Sequence, residues 1–387
     1  MNYQEVVRQL FSLKVFGMKF GIESTKKALE SFGNPERDMK IIHVAGTNGK
    51  GSIAAMISAV LQEAGFKVGL FTSPHLIDFR ERIRVNDELI KESGVVDLFK
   101  KIKDKNVKLT YFEFLTIMAL LYFKGRTDYV VLEAGLGGKL DATNAADSMI
   151  SVLTPISLDH THILGNTVEK IAEDKSEIIK PKTIVVTGHQ ELGVLNIIKK
   201  KSEERNCKLI QVEKKYETNL LGDFQRVNAG FAAAVATELK IPDEKIKNGL
   251  QKVEWSGRLQ YLEEDLLVDG AHNLKGLDEM KKYVESLNRE LIIIFGASGK
   301  RNAKEMIEHL PKYKHLIITM SDSSKKSNVD TIHMKAVDPE TVDIDCIKIK
   351  DLEKALEHAR SLQKNGELIL VTGSLYLVGD VIKYLNS

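Results

Sequence analysis

The stretch Ile41 to Ser52, IIHVAGTNGKGS, gathers residue types that bind a polyphosphate. Gly46, Gly49 and Gly51 can take positive φ and let backbone N–H groups approach an anion closely. Lys50 adds a mobile positive charge. Thr47 and Asn48 lie between the first two glycines, and the hydroxyl of Ser52 can reach a phosphate-bound magnesium at the start of the following helix. The spacing is more compact than the general phosphate-loop pattern, which has four residues before the Gly-Lys pair and Ser or Thr directly after the lysine. Here only Thr47 and Asn48 separate Gly46 from Gly49, and Gly51 precedes Ser52.

Further candidates stand at the ends of apolar runs, where open α/β sheets bind ligands. Ser73 lies in a Thr-Ser-Pro segment after the run Lys67 to Phe71, and serine before proline is also a common turn starter. Glu133 closes the run from Tyr129 and is followed by glycines; a carboxylate there suits magnesium, a hard cation that prefers oxygen ligands. Gln225 and Asn228 share one helical face and could offer amides to a purine ring. Arg80, Arg82 and Arg84 could bind an anionic tail or be surface charges. His160, read alone, is more often structural than ligating, and the Asp269 to Asn273 turn is as readily a capped strand-to-helix turn as a site.

Taken together, GTNGKGS, TSPH, EAGLGGKLDATN at 133–144, DHTHILGNTVEKIAEDKSEIIKP at 159–181, DGAHN at 269–273 and GSLYLVGDV at 373–381 resemble one family. It is the folylpolyglutamate synthase and dihydrofolate synthase branch of the Mur ligase superfamily, and the similarity covers nearly the whole chain. The resemblance implies ATP and two magnesium ions as cofactors, with Lys50, His160 and Lys175 catalytic. Gly46, Thr47, Asn48, Gly49, Lys50, Gly51, Ser52, Asn228, Arg258, Asp269 and His272 would bind the nucleotide. One magnesium would take Ser73 and Glu133, and the other His160 and a carbamylated Lys175. A lysine ammonium repels magnesium, whereas its carbamate is an anionic oxygen ligand.

By the same resemblance, FGMKFG at 16–21 borders the folate site. Arg258, Asp269 and His272 would complete the catalytic site on domain closure. Two departures stand out: Phe224 replaces the usual histidine, and Asn302 replaces an acid in the acidic-lysine-acidic element around 297–302. The implied reaction is ATP-dependent addition of L-glutamate to a folate, to dihydropteroate or to both, through an acyl phosphate. Another amino-acid ligase of the superfamily, acting on a non-folate carboxylate, is the alternative. A phosphate-loop switch or motor would hydrolyse NTP without making an amide.

The elements that must carry these residues read as α/β. Apolar strands alternate with helices, predicting an N-terminal phosphate-loop ATPase domain with a mostly parallel sheet at 1–256. A linker at 257–262 then leads to a smaller Rossmann-like α/β domain at 263–387. The 387 residues carry a formal net charge of only +2, so nothing in the balance calls for nucleic acid or an anionic membrane. Cys207 and Cys346 form no metal or disulfide pattern, which fits a reducing compartment. No signal-peptide core and no run of about 18 apolar residues occurs, and a cytoplasmic location is expected. A complete chain and a monomer are expected from the resemblance.

Overall fold

The computed structural model describes residues 1–13, 22–298, 302–321, 336–364 and 366–386. Contacts divide the chain into two compact units, one of residues 1–75, 79–219 and 225–254, the other of 76–78, 220–224 and 255–387. No single cut in the sequence reproduces this division, because two short excursions pack with the C-terminal unit.

The first unit is built on eight strands: β1 (Ile41–Ala45), β2 (Val68–Phe71), β3 (Ile83–Val85), β4 (Glu88–Leu89), β5 (Tyr129–Glu133), β6 (Ile150–Leu153), β7 (Ile184–Thr187) and β8 (Lys208–Gln211). Their order is β4-β3-β2-β5-β1-β6-β7-β8. The six from β2 to β8 in that order run parallel, and only the pairings of β2 with β3 and of β3 with β4 at one edge are antiparallel. β1 is buried along its whole length, His43 included, as expected of a mostly apolar strand covered on both faces. The chain leaves β1 for β2 and β5 on one side, then crosses to β6, β7 and β8 on the other. The carboxyl end of β1 therefore faces a topological switch point, the crevice where open sheets of this kind hold ligands.

The helix Lys50–Glu63 follows β1 and is buried over most of its surface. Gly249, on the helix Asp243–Lys252, lets it lie close to a neighbour: a Cβ there would meet the Cα of Val60 at 2.6 Å. Helix Tyr111–Phe123 is likewise almost wholly apolar and begins with a capping box between Thr110 and Glu113. It forms part of one core with Phe71, Ile83, Phe99 and Leu132.

The second unit carries β9 (Gln260–Glu263), β10 (Leu266–Val268), β11 (Leu291–Phe295), β12 (His315–Ile318), β13 (Ile347–Lys348) and β14 (Leu368–Thr372). They lie in the order β13-β12-β11-β14-β10-β9. All pairs are parallel except β9 with β10. Within the stretch 257–262, Leu259 is buried, and Gln260 opens an edge strand alternating between half-buried and exposed positions. Four residues of mixed polarity suffice for an edge strand because only one side needs a ladder. The family-like FGMKFG segment lies outside the described residues, as do 299–301 of the altered loop.

Candidate active site

The phosphate loop forms the turn between β1 and its helix. Gly49 caps that helix with φ +85° and ψ −8°, and no side chain caps the first turn. The uncapped N–H groups and the helix dipole favour an anion there. Lys50 opens the helix, so Ser52, expected at its first position, lies further in and is buried. Lys50 Nζ donates to the carbonyls of Gly46 and Thr47 at 3.1 and 3.0 Å, folded back over its own loop.

Two of the glycines are required by what touches them. Gly46 has φ +149°, and a Cβ on it would stand 1.9 Å from Thr154 Oγ1; a Cβ on Gly49 would stand 2.8 Å from Asn228 Oδ1. Asn228 thus lies against the loop. Its Nδ2 donates to Gln225 Oε1 at 2.9 Å, and Gln225 Nε2 reaches Ser52 Oγ at 3.4 Å. Gln225 is fully buried and engaged with Ser52, so its amide serves the loop rather than a purine ring.

The segment after β6 braces the loop from the other side. The backbone N–H groups of Thr47 and Asn48 donate to the carbonyl of Pro155 at 3.1 and 3.3 Å. Thr47 Oγ1 donates to the carbonyl of Ser157 at 3.0 Å and accepts its N–H at 3.1 Å. The same segment continues into Asp159 and His160. His160 sits in the left-handed region at φ +50°, uncommon for a residue with a side chain and frequent at functional sites. Its Nε2 lies 3.8 Å from Asp159 Oδ2.

At the carboxyl end of β5, Glu133 is buried and its Oε2 accepts the backbone N–H of Ser73 at 2.9 Å. The glycine-rich segment that follows is tied down by two aspartates. Asp141 accepts the N–H of Leu136 at 2.9 Å and of Thr143 at 3.0 Å, and Asp174 accepts that of Gly138 at 2.8 Å. Burial pushes both carboxyl groups above the usual carboxylate range. The Thr143 hydroxyl donates to Asp141 and lies 2.7 Å from His43 Nε2. Because the threonine proton is used on the carboxylate, the histidine must donate through Nε2. His43 is held neutral, its pKa lowered to about 3 by burial and by the charge of Lys180.

Lys175 is buried near the end of the helix Val168–Ser176, its backbone pressed against Gly138, where a Cβ would meet Lys175 Cα at 2.7 Å. Burial lowers its pKa to about 7; the charge of Lys50 acts in the same direction, and Asp159, Asp174 and Asp141 oppose this. The fold thus brings the phosphate-loop lysine, the acid beside His160 and Lys175 into one electrostatic neighbourhood. Asp141, Asp159 and Asp174 are members that residue spacing alone does not single out, although each stands inside one of the family-like motifs. Arg82 is buried, with Nε donating to His75 Nδ1 at 2.8 Å, rather than being a surface charge.

The donor set suits magnesium. Among the described residues no three His, Cys, Asp or Glu side chains group as a metal site. That argues against a cage of the zinc type. Magnesium instead keeps several waters and needs only one or two carboxylates beside substrate phosphates. Ser73 with Glu133 would be a sparse oxygen set of that kind, and a carbamate on Lys175 would supply a further anionic oxygen.

In the second unit, Asp269 is buried; its two oxygens accept the N–H of Leu259 at 2.9 Å and of Ala271 at 2.8 Å. Burial raises its pKa, with the charge of Arg258 opposing. His272 Nδ1 lies 2.8 Å from the carbonyl of Gly270, so that nitrogen carries the proton. Arg258 and His272 are half-buried.

Comparison with known proteins extends these observations over the chain. The Mur ligase middle domain matches residues 44–210, and the Mur ligase glutamate ligase domain matches 257–375. The dihydrofolate synthase/folylpolyglutamate synthase of Bacillus subtilis is 32% identical over 99% of each chain. Among solved structures, folylpolyglutamate synthase (FPGS) from Thermotoga maritima is 30% identical with a TM-score of 0.82, covering 100% of this chain and 97% of that one. An FPGS-AMPPCP-folate complex is 27% identical with a TM-score of 0.85 over 100% of both.

Proposed function

Because the chain belongs to the dihydrofolate synthase/folylpolyglutamate synthase family of Mur ligases, we propose that it joins L-glutamate to a folate, to dihydropteroate, or to both. It is an ATP-dependent ligase with small-molecule substrates. The observation that carries the reading is the placement of Lys175: buried, near neutrality in pKa, and under the charge of Lys50. A lysine whose pKa is about 7 is in large part unprotonated amine near neutral pH and can add carbon dioxide there, which an ordinary ammonium cannot.

In this reading Lys50 and the loop N–H groups hold the β- and γ-phosphates, and Asn228 keeps the loop in shape. Ser73 with Glu133 would hold one magnesium ion, and His160 with carbamylated Lys175 a second. Magnesium supplies neutralisation of phosphate charge. The acceptor carboxylate attacks the γ-phosphorus and ADP leaves. The amine of L-glutamate then adds to the acyl carbon, and phosphate departs with one of the original carboxylate oxygens. Catalysis here is positioning and charge stabilisation, since the chain forms no covalent bond with substrate. Arg258, Asp269 and His272 are assigned nucleotide contacts on the resemblance, and the boundary near residue 256 separates the two Mur ligase domains.

A cytoplasmic monomer is part of the same proposal; no helix among the described residues is long and apolar enough to cross a membrane. Incubation with magnesium-ATP and L-glutamate, offering dihydropteroate in one reaction and tetrahydrofolate in another, tests it by product mass. Gain of one glutamate from either supports the reading and says which step is performed. ATP consumption without either product would return the non-folate ligases.

A further inference from the structure

Gln190 lies beyond β7 and belongs to none of the family-like motifs, yet its side chain is 7% exposed and its amide is spent on a single segment. Its Oε1 accepts the N–H of Ile156 at 3.0 Å. Its Nε2 donates to the carbonyl of Thr154 at 3.1 Å, with Thr187 Oγ1 at 3.1 Å and the carbonyl of Leu153 at 3.4 Å sharing the second hydrogen. Thr187 Oγ1 itself donates to Leu153 at 3.0 Å. Residues 153–156 are where β6 leaves the sheet: the Thr154 N–H makes a last bond to the Ala45 carbonyl at 2.8 Å, and Pro155 has no N–H with which to continue the ladder. One amide, using its acceptor and donor ends at once, replaces that ladder.

The anchored segment is also the brace of the phosphate loop. Pro155, between the two residues Gln190 grips, accepts the N–H groups of Thr47 and Asn48. Ser157, the next residue but one, exchanges two hydrogen bonds with Thr47 Oγ1. His160 follows three residues later. We infer that Gln190 is a positioning residue for the ligase reaction, setting the phosphate loop and the His160 segment in one register without touching substrate. This rests on the ligase function proposed for the chain.

The test uses the full chain with magnesium-AMPPCP as the binding probe. Gln190→Met keeps the length and removes every hydrogen bond; Gln190→Glu keeps the acceptor but turns a carboxylate toward two carbonyls. Loss of two net hydrogen bonds at the brace is expected to weaken AMPPCP about ten-fold in both variants, raise KM for ATP similarly and lower kcat as well. A purely structural role would lower the melting temperature alone. Gln190→Met with AMPPCP affinity, KM and kcat within about two-fold of the wild type, measured below its melting temperature, overturns the inference.

Hydrogen exchange on the wild-type protein tests the coupling independently of how the variants fold. Bound AMPPCP must slow exchange in a peptide covering 153–157 as well as in one covering 46–52; unchanged exchange at 153–157 also overturns it. AMPPCP binding needs no acceptor substrate. Absence of a glutamylated product from the wild type would therefore overturn the folate reading while the binding result for Gln190 still stood.

Discussion

The backbone N–H of Ser73 donates to Glu133 Oε2 across 2.9 Å, joining the turn after β2 to the carboxyl end of β5. One oxygen of the carboxylate is thereby oriented by its own fold. Glu133→Gln retains an acceptor for Ser73 and removes only the charge. The fold and melting temperature should hold, while kcat falls by two orders of magnitude or more, on the scale of losing one preorganised electrostatic partner of the transition state. Unchanged kcat with saturating magnesium would remove Glu133 from the metal site.

Gly49 combines φ +85° with a near contact to Asn228. Alanine there would carry the left-handed penalty of about 1–2 kcal/mol, and its methyl would push the asparagine amide away. Gly49→Ala is expected to weaken AMPPCP at least ten-fold by calorimetric titration, while the melting temperature falls only a few degrees. The same substitution at Gly65, which has positive φ but nothing within 4 Å of a Cβ, should leave nucleotide binding as it is.

Unmodified Lys175 has a pKa of about 7 in the fold against an ordinary value of 10.5. Between these values the unfolded chain binds more protons than the folded one. Stability of carbon-dioxide-depleted protein should therefore rise as pH increases from about 7 toward 10.5, with the burial of charge costing most below 7. Urea midpoints across that window measure it, and Lys175→Met should flatten this contribution. A midpoint that falls between pH 7 and 9 in the wild type relative to Lys175→Met would contradict the assignment.

The buried chain from His43 through Thr143 to Asp141 predicts a stability effect without a change in any proposed ligand. Thr143→Val keeps the shape and strands a donor and an acceptor, costing roughly 1–3 kcal/mol for a buried unsatisfied group. Equilibrium denaturation gives the value. A loss below about 0.5 kcal/mol would mean the three groups are not held as one chain.

What the sequence makes legible here is local. The phosphate loop announces itself because the glycines and the lysine that make it lie close together, and β1, β5, β11 and β14 are predominantly apolar runs. Glu133 is marked by its position at a strand end, and His160 only by the family-like motif in which it stands. The short strands β3, β4, β8, β9 and β13 escape such a reading, since two to four residues are too few to establish a period. Helix Glu92–Lys103 hides behind a lysine run that its exposed face accounts for. Gln190 is beyond reach for another reason: three of its four partners are backbone atoms, and backbone atoms leave no mark on residue identity.

Oxygen transfer decides whether an acyl phosphate forms. With the acceptor carboxylate labelled in oxygen-18, and with magnesium-ATP and L-glutamate present, one labelled oxygen should appear in the phosphate released for each amide formed. Phosphate without label, its one new oxygen drawn from solvent, would show ATP hydrolysis apart from the acceptor, and the acyl-phosphate ligase reading would fall.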